Sequence, residues 1–69
     1  MQGILIDAGA RPDIALTNGH LWGGLHCGDC FSCLFADVWI PVRLEYLDGW
    51  VLVKEDEILP LPYGTQVKI

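Results

Sequence analysis

Alternating apolar and polar residues predict an antiparallel β meander over about residues 30–54. Asp48-Gly49 separates two β-favouring runs and suits a two-residue turn in which both central residues have positive φ. Such a turn pairs Tyr46 with Val51. One face of the two strands then carries a core stripe of period two, formed by Val42, Leu44, Tyr46, Val51 and Val53.

A second turn at Ala36-Asp37 extends this stripe without conflict. It pairs Phe35 with Val38, and it continues the apolar face into a third strand. Pro41 removes one backbone donor, so we expect it at a bulge or facing away from the neighbouring strand. The three predicted strands span about residues 30–35, 38–47 and 50–54.

The opposite face of the meander is too apolar for open solvent. We therefore expect either the N-terminal third of the chain or a partner to cover it. Its predicted residues are Cys30, Ser32, Leu34, Trp39, Arg43, Glu45, Leu47, Trp50 and Leu52.

The segments flanking the meander predict an α+β fold that is mainly β, with the antiparallel sheet flanked by short helical segments. Gly3–Asp7 has the pattern of a short strand. Arg11–Thr17 is interpreted as one or two helical turns, with Pro12 near its start and Asn18-Gly19 as its stop signal. Thr65–Ile69 is expected to form an edge strand.

The size and composition indicate one domain spanning residues 1–69, which we expect to be a monomer. The chain has 69 residues, of which 52% are hydrophobic. No apolar run approaches the roughly 20 residues that a transmembrane helix needs, so no membrane association is expected. Three cysteines are an odd number, which fits a reducing cytoplasm better than a secreted disulfide scaffold.

The charge balance favours a basic protein partner. Nine acidic residues against four basic ones give a formal net charge of −5. Direct nucleic-acid binding is disfavoured, because it depends on Lys and Arg replacing condensed counterions. We expect a protein partner with a basic DNA-binding surface. The candidate partner-binding residues are Asp29, Asp37, Glu45, Asp48, Glu55, Asp56 and Glu57.

A cysteine-rich segment supports a different interpretation, a metal or redox site. Cys27, Cys30 and Cys33 follow one another at spacings of three, near His20 and His26. Zinc accepts four thiolate or imidazole ligands, but structural sites usually supply two separated pairs. A thioredoxin-like pair normally opens a helix after a strand, a context absent from this pattern. We therefore expect no metal and no cofactor, with a small zinc- or thiol-dependent structural or redox module as the alternative.

No arrangement of residues in the sequence predicts an enzyme. The acidic run at residues 55–57 lacks the burial that raises the pKa of a catalytic carboxyl group. The tryptophans lack the positively charged groove that accompanies base stacking. Core packing or protein contact is therefore the expected use of the aromatic residues.

One part of the chain resembles a family of short, strand-rich bacterial domains of unknown function. The resemblance covers about residues 25–53, on Leu25–Phe31, Trp39–Tyr46 and Gly49-Trp50. It implies the meander and assigns no activity.

In size and acidity the whole chain also resembles the small phage anti-CRISPR proteins directed at type I-C effector complexes. That resemblance implies an inhibitor that binds the large Cas subunit and blocks target DNA, either as a DNA mimic or by steric exclusion. This is the function we expect. A further alternative is a host accessory domain that docks to a larger enzyme through its apolar second face.

Overall fold

The computed structural model, which describes residues 1–69, contains seven strands in one antiparallel sheet. Their order across the sheet is β2-β1-β7-β3-β4-β5-β6. The prediction of a mainly β, antiparallel sheet is confirmed, but the fold is all-β, so the α+β class with flanking helical segments is wrong. The strands are β1 (Gln2–Asp7), β2 (Pro12–Leu16), β3 (Cys30–Phe35), β4 (Val38–Tyr46), β5 (Trp50–Lys54), β6 (Glu57–Pro60) and β7 (Gln66–Lys68).

The β3–β4 hairpin has the predicted register, with Phe35 opposite Val38. Ala36 and Asp37 form its two-residue turn, and both adopt positive φ, at 48° and 64°. Pro41 lies opposite Ser32 without a bulge. Counting from the turn, this is a position whose backbone groups face away from β3, so the ring nitrogen removes no bond from that ladder.

The β4–β5 hairpin is shifted by one residue from its predicted register. Tyr46 lies opposite Trp50 rather than Val51, and Leu44 lies opposite Leu52. Gly49 has φ of 146°, far from the value of about 90° that a two-residue type I′ turn requires. The loop therefore has three residues, Leu47–Gly49, instead of two.

This shift exchanges the two faces of β5. Leu52 is fully buried in the core, whereas Val51 and Val53 lie on the outer face with β4 residues such as Glu45. Tyr46, predicted in the core, is 56% exposed at the end of the sheet. With the three-residue loop, β5 therefore directs Leu52 into the core in place of Val51 and Val53.

The N-terminal prediction is half correct. The strand at Gly3–Asp7 is confirmed by β1, but the helix at Arg11–Thr17 is wrong, because this segment contains β2. Pairing with β1 decides the conformation: Ile14 lies opposite Leu5, and both are fully buried. Gly3 permits this close pairing, since a side chain there would collide with Ile14 and with the Ala15 backbone.

The C-terminal strand exists, but it is not at an edge. β7 lies between β1 and β3, with Val67 opposite both Gly3 and Cys33. This position joins the N-terminal hairpin to the meander in one sheet. The prolines after residue 58 do not prevent a strand at the edge, where β6 lies.

The sheet is curved around one core. The Trp50 indole nitrogen donates to the Ala10 carbonyl oxygen at 3.1 Å, which brings the β1–β2 loop against the start of β5. Arg11 lies over the Trp50 ring at 5.7 Å. The nine buried core residues are Leu5, Ile14, Leu25, Phe31, Cys33, Val42, Leu44, Leu52 and Val67.

The two edges of the sheet differ. The β2 edge is covered by the segment at residues 20–25: Leu16 donates to the His20 carbonyl oxygen at 2.8 Å, and Trp22 donates to that of Ile14 at 2.9 Å. The β6 edge pairs with β5 on one side and with no strand on the other. None of the hydrogen bonds outside the strand ladders involves residues 57–60.

Truncation across β5 tests the observed register. Leu52→Ala should lower the free energy of unfolding by about 2–5 kcal/mol, because it leaves a cavity beside Leu44. Val53→Ala, on the outer face, should cost about 1 kcal/mol or less. Urea denaturation followed by tryptophan fluorescence measures both. A larger loss of unfolding free energy for Val53→Ala than for Leu52→Ala would contradict the observed register and favour the predicted two-residue turn.

Candidate protein-binding surfaces

Four of the seven predicted carboxylates gather at one end of the sheet. Asp37 lies in the β3–β4 turn, and residues 55–57 lie at the β5–β6 turn. By extension of the β4–β5 register, Glu55 lies beside Pro41, four residues along β4 from Asp37. At the rise of a strand, the two turns are then about 13 Å apart. This acidic end consists of the exposed side chains of Asp37, Glu55, Asp56 and Glu57.

The other three carboxylates lie towards the opposite end. Asp29 precedes β3 and accepts a hydrogen bond from the His26 backbone at 2.9 Å. Asp48 lies in the β4–β5 loop, while Glu45 lies on the outer face and binds the Arg43 side chain at 2.6 Å. The seven residues therefore do not share one surface. The four at the acidic end form the larger of two groups, one at each end of the sheet.

Basic side chains are mostly engaged elsewhere. Arg11 donates to the Leu25 carbonyl oxygen at 3.1 Å. The Lys68 ammonium group lies over the Trp39 ring at 4.5 Å, on the outer face. The bases beside the acidic end are Lys54, opposite Glu57 in the β5–β6 hairpin, and Lys68, over a ring two residues from Asp37. Two lysines beside four carboxylates leave a net negative charge there.

The outer face differs from its predicted composition. Leu52 and Trp50 were predicted on this face, but Leu52 lies in the core and Trp50 packs against the core. The elements that contact one another are neighbours within the sheet, so the N-terminal third extends the sheet and no strand packs over this face. A shallow groove of about 420 Å³ crosses it. The groove is lined by Cys30, Phe31, Ser32, Pro41, Val42, Arg43, Val53 and Glu55.

The three cysteines do not converge. Cys27 and Cys30 are exposed, whereas Cys33 is fully buried in the core. No group of three or more His, Cys, Asp or Glu side chains is arranged to hold a metal ion.

Two exposed apolar sites were not singled out from the sequence. Tyr46 and Leu47 are 56% and 54% exposed, and Tyr46 contacts Trp50 edge-on at 5.0 Å between ring centroids. Ile58, on edge strand β6, is 60% exposed. The signal for Ile58 was its position between an acidic turn and Pro60, a combination typical of an edge strand.

The chain is a small all-β domain. Its candidate binding residues are exposed on turns and on one open edge of the sheet. None of its elements is a helix of the length and apolarity needed to cross a membrane.

A family model described as a domain of unknown function, DUF5348, matches residues 4–69, and the chain therefore belongs to this family. This agrees with the resemblance of residues 25–53 to short domains of unknown function. The chain is also similar to a protein from Ruminococcus gnavus of known crystal structure. The two share 37% identity over 100% of each chain, with a TM-score of 0.84. Comparison with curated proteins finds no match.

Burial of the Cys33 thiol makes the stability of the fold sensitive to alkaline pH. Desolvation raises the pKa of Cys33 from 9.0 to about 11. The folded state therefore holds this proton more tightly than the unfolded chain. The stability that results is fully present below pH 9 and is lost as the pH rises from 9 towards 11. Burial, and then the charge of Asp7, also raise the pKa of Tyr63.

We expect the free energy of unfolding to fall between pH 8 and pH 10.5, and Cys33→Ala to reduce the steepness of that fall. Urea denaturation across this range measures the slope. Cys30→Ala removes an exposed thiol and serves as the control, because it should leave the slope unchanged. Equal slopes for all three proteins would show that Cys33 does not carry the effect.

Proposed function

We propose that this domain acts by binding a protein partner, with its acidic end seated on a basic, DNA-binding surface. The observation that carries this proposal is the gathering of four exposed carboxylates on two neighbouring turns. Both turns join hydrogen-bonded strands, so the backbone that carries the charges is fixed in position. Negative potential fixed in this way speeds encounter with a positive surface.

The particular partner proposed is the large Cas subunit of a type I-C effector complex, and the proposed result is inhibition of target DNA binding. The resemblance to small phage anti-CRISPR proteins supports this choice of partner. The proposal requires no catalysis, cofactor or metal, and it places the protein in the cytoplasm of a bacterial host.

The spacing of the charges favours steric blocking over close mimicry of DNA. Duplex DNA carries one negative charge per about 1.7 Å, so it presents roughly eight charges over the 13 Å or so that separate the two turns. The acidic end offers four carboxylates. It can therefore orient the domain on a basic surface, while the bulk of the domain, 32 by 29 by 17 Å, keeps DNA away.

A second candidate function is an accessory domain that docks to a larger host enzyme. The exposure of Tyr46 and Leu47 beside the half-buried Trp50 favours it, since aromatic side chains are enriched at protein interfaces. This aromatic site lies at the opposite end from the acidic end. Binding that depends on Tyr46 and not on the acidic end would favour this candidate.

Charge-neutral variants at the two ends test the preferred function. Glu55→Gln/Asp56→Asn/Glu57→Gln should weaken binding to a purified type I-C effector complex by about tenfold or more, since three charge contacts contribute roughly 1–3 kcal/mol. Competition with labelled target DNA measures this inhibition.

The matched control is Asp29→Asn/Glu45→Gln/Asp48→Asn. Each triple variant removes three negative charges and so changes the formal charge from −5 to −2. The control should stay within about threefold of the parent protein, because its charges are remote from the acidic end. Equal losses for both triples, or no binding by the parent protein, would contradict the proposal.

A further inference from the structure

The open edge of the sheet presents a defined set of backbone groups. A two-residue loop, Glu55-Asp56, joins β5 to β6, with Lys54 opposite Glu57. The residues flanking such a loop exchange hydrogen bonds, and the pattern then alternates along the strand. Ile58 and Pro60 therefore direct their backbone groups outward. The edge offers the N–H and C=O of Ile58 and the C=O of Pro60.

This edge contrasts with the one at β2. There, the protein's own segment at residues 20–25 accepts or donates the outward hydrogen bonds of Pro12, Ile14 and Leu16. Beside β6 no segment does so, and Ile58 is 60% exposed. An unpaired edge is a template on which another strand can pair.

We propose that β6 receives an extended segment of the protein partner as an eighth strand, and that this segment alternates basic and apolar residues. The inference rests on the proposed function, because it names how the partner is held next to the acidic end. An apolar partner side chain would pack on Ile58. Lys or Arg would lie beside Glu57 and the Glu55-Asp56 turn, where negative charge exceeds positive.

A second copy of the chain does not fit this edge well. In an antiparallel β6–β6 pair centred on Leu59, the register in which both outward-facing residues of each copy are paired, Ile58 of one copy would face Pro60 of the other, and proline has no N–H to return. Each such pair would make one hydrogen bond in place of two. Two chains of net charge −5 would also repel each other. Pro60 and the acidic turn thus disfavour self-pairing and leave the edge open to a basic strand.

The test uses the full chain and three six-residue probes. The first is a capped peptide of alternating lysine and valine, and the second replaces every lysine with glutamate. The third is the lysine peptide N-methylated at every residue, which keeps the charge but has no backbone N–H with which to pair as a strand. Amide chemical shifts and hydrogen exchange of the ¹⁵N-labelled protein locate binding.

We expect the lysine–valine peptide to shift the amide signals of residues 57–60 saturably and to slow exchange of the Ile58 amide at least tenfold. Neither the glutamate nor the N-methylated peptide should do so. Ile58→Pro removes the outward donor and should abolish binding, whereas Ile58→Thr keeps the donor and should retain most of it. If Ile58→Pro does not fold, the N-methylated peptide still separates strand pairing from charge attraction.

Equal binding by the N-methylated peptide, or unchanged exchange at Ile58, would overturn the edge proposal. These outcomes are distinct from failure of the proposed function. An effector complex that binds through the acidic end without protecting Ile58 would overturn the edge proposal alone. A basic strand that pairs at β6, in a protein that the effector complex does not bind, would overturn the proposed partner alone.

Discussion

Nine buried side chains hold the sheet together, and the alternation of side chains along each strand decides which residues can belong to that set. Six strands contribute to it, with Leu25 closing the core from the segment before β3. A domain of this size has a stability of roughly 3–10 kcal/mol, so little of the core can be lost. The register of every hairpin is consequently under strong constraint, and the positions of the turns follow from it.

The same constraint separates the parts of the surface that are available for binding. β6 contributes no residue to the fully buried core, although Leu59 packs against it. Its outer edge is therefore free to pair without disturbing the strands that support the fold. The acidic end adjoins this edge through the β5–β6 turn, so charge attraction and strand pairing would act on the same partner segment.

The sequence allowed some hairpins to be predicted better than others. Ala36-Asp37 predicted the β3–β4 register correctly, because a two-residue turn between apolar runs leaves one consistent pairing. Asp48-Gly49 fits loops of two or three residues, and only burial of Leu52 decides between them. The helix predicted from Pro12 failed because pairing with β1, a tertiary effect, overrode the local start and stop signals.

The placement of the carboxylates could have been anticipated in part. Successive turns of a meander lie at alternate ends of a sheet, so Asp37 and Asp48 had to be separated once both turns were accepted. The open edge could not be derived from local pattern, because it depends on which strand receives β7 and on the segment that covers β2.

The proposed function depends on fixed negative charge that guides this domain onto a basic protein surface. Stopped-flow association with a purified type I-C effector complex, measured between 50 and 500 mM salt, tests it most directly. We expect an association rate constant that falls about tenfold or more over this range, with little change in the dissociation rate constant. An association rate that is independent of salt would contradict it.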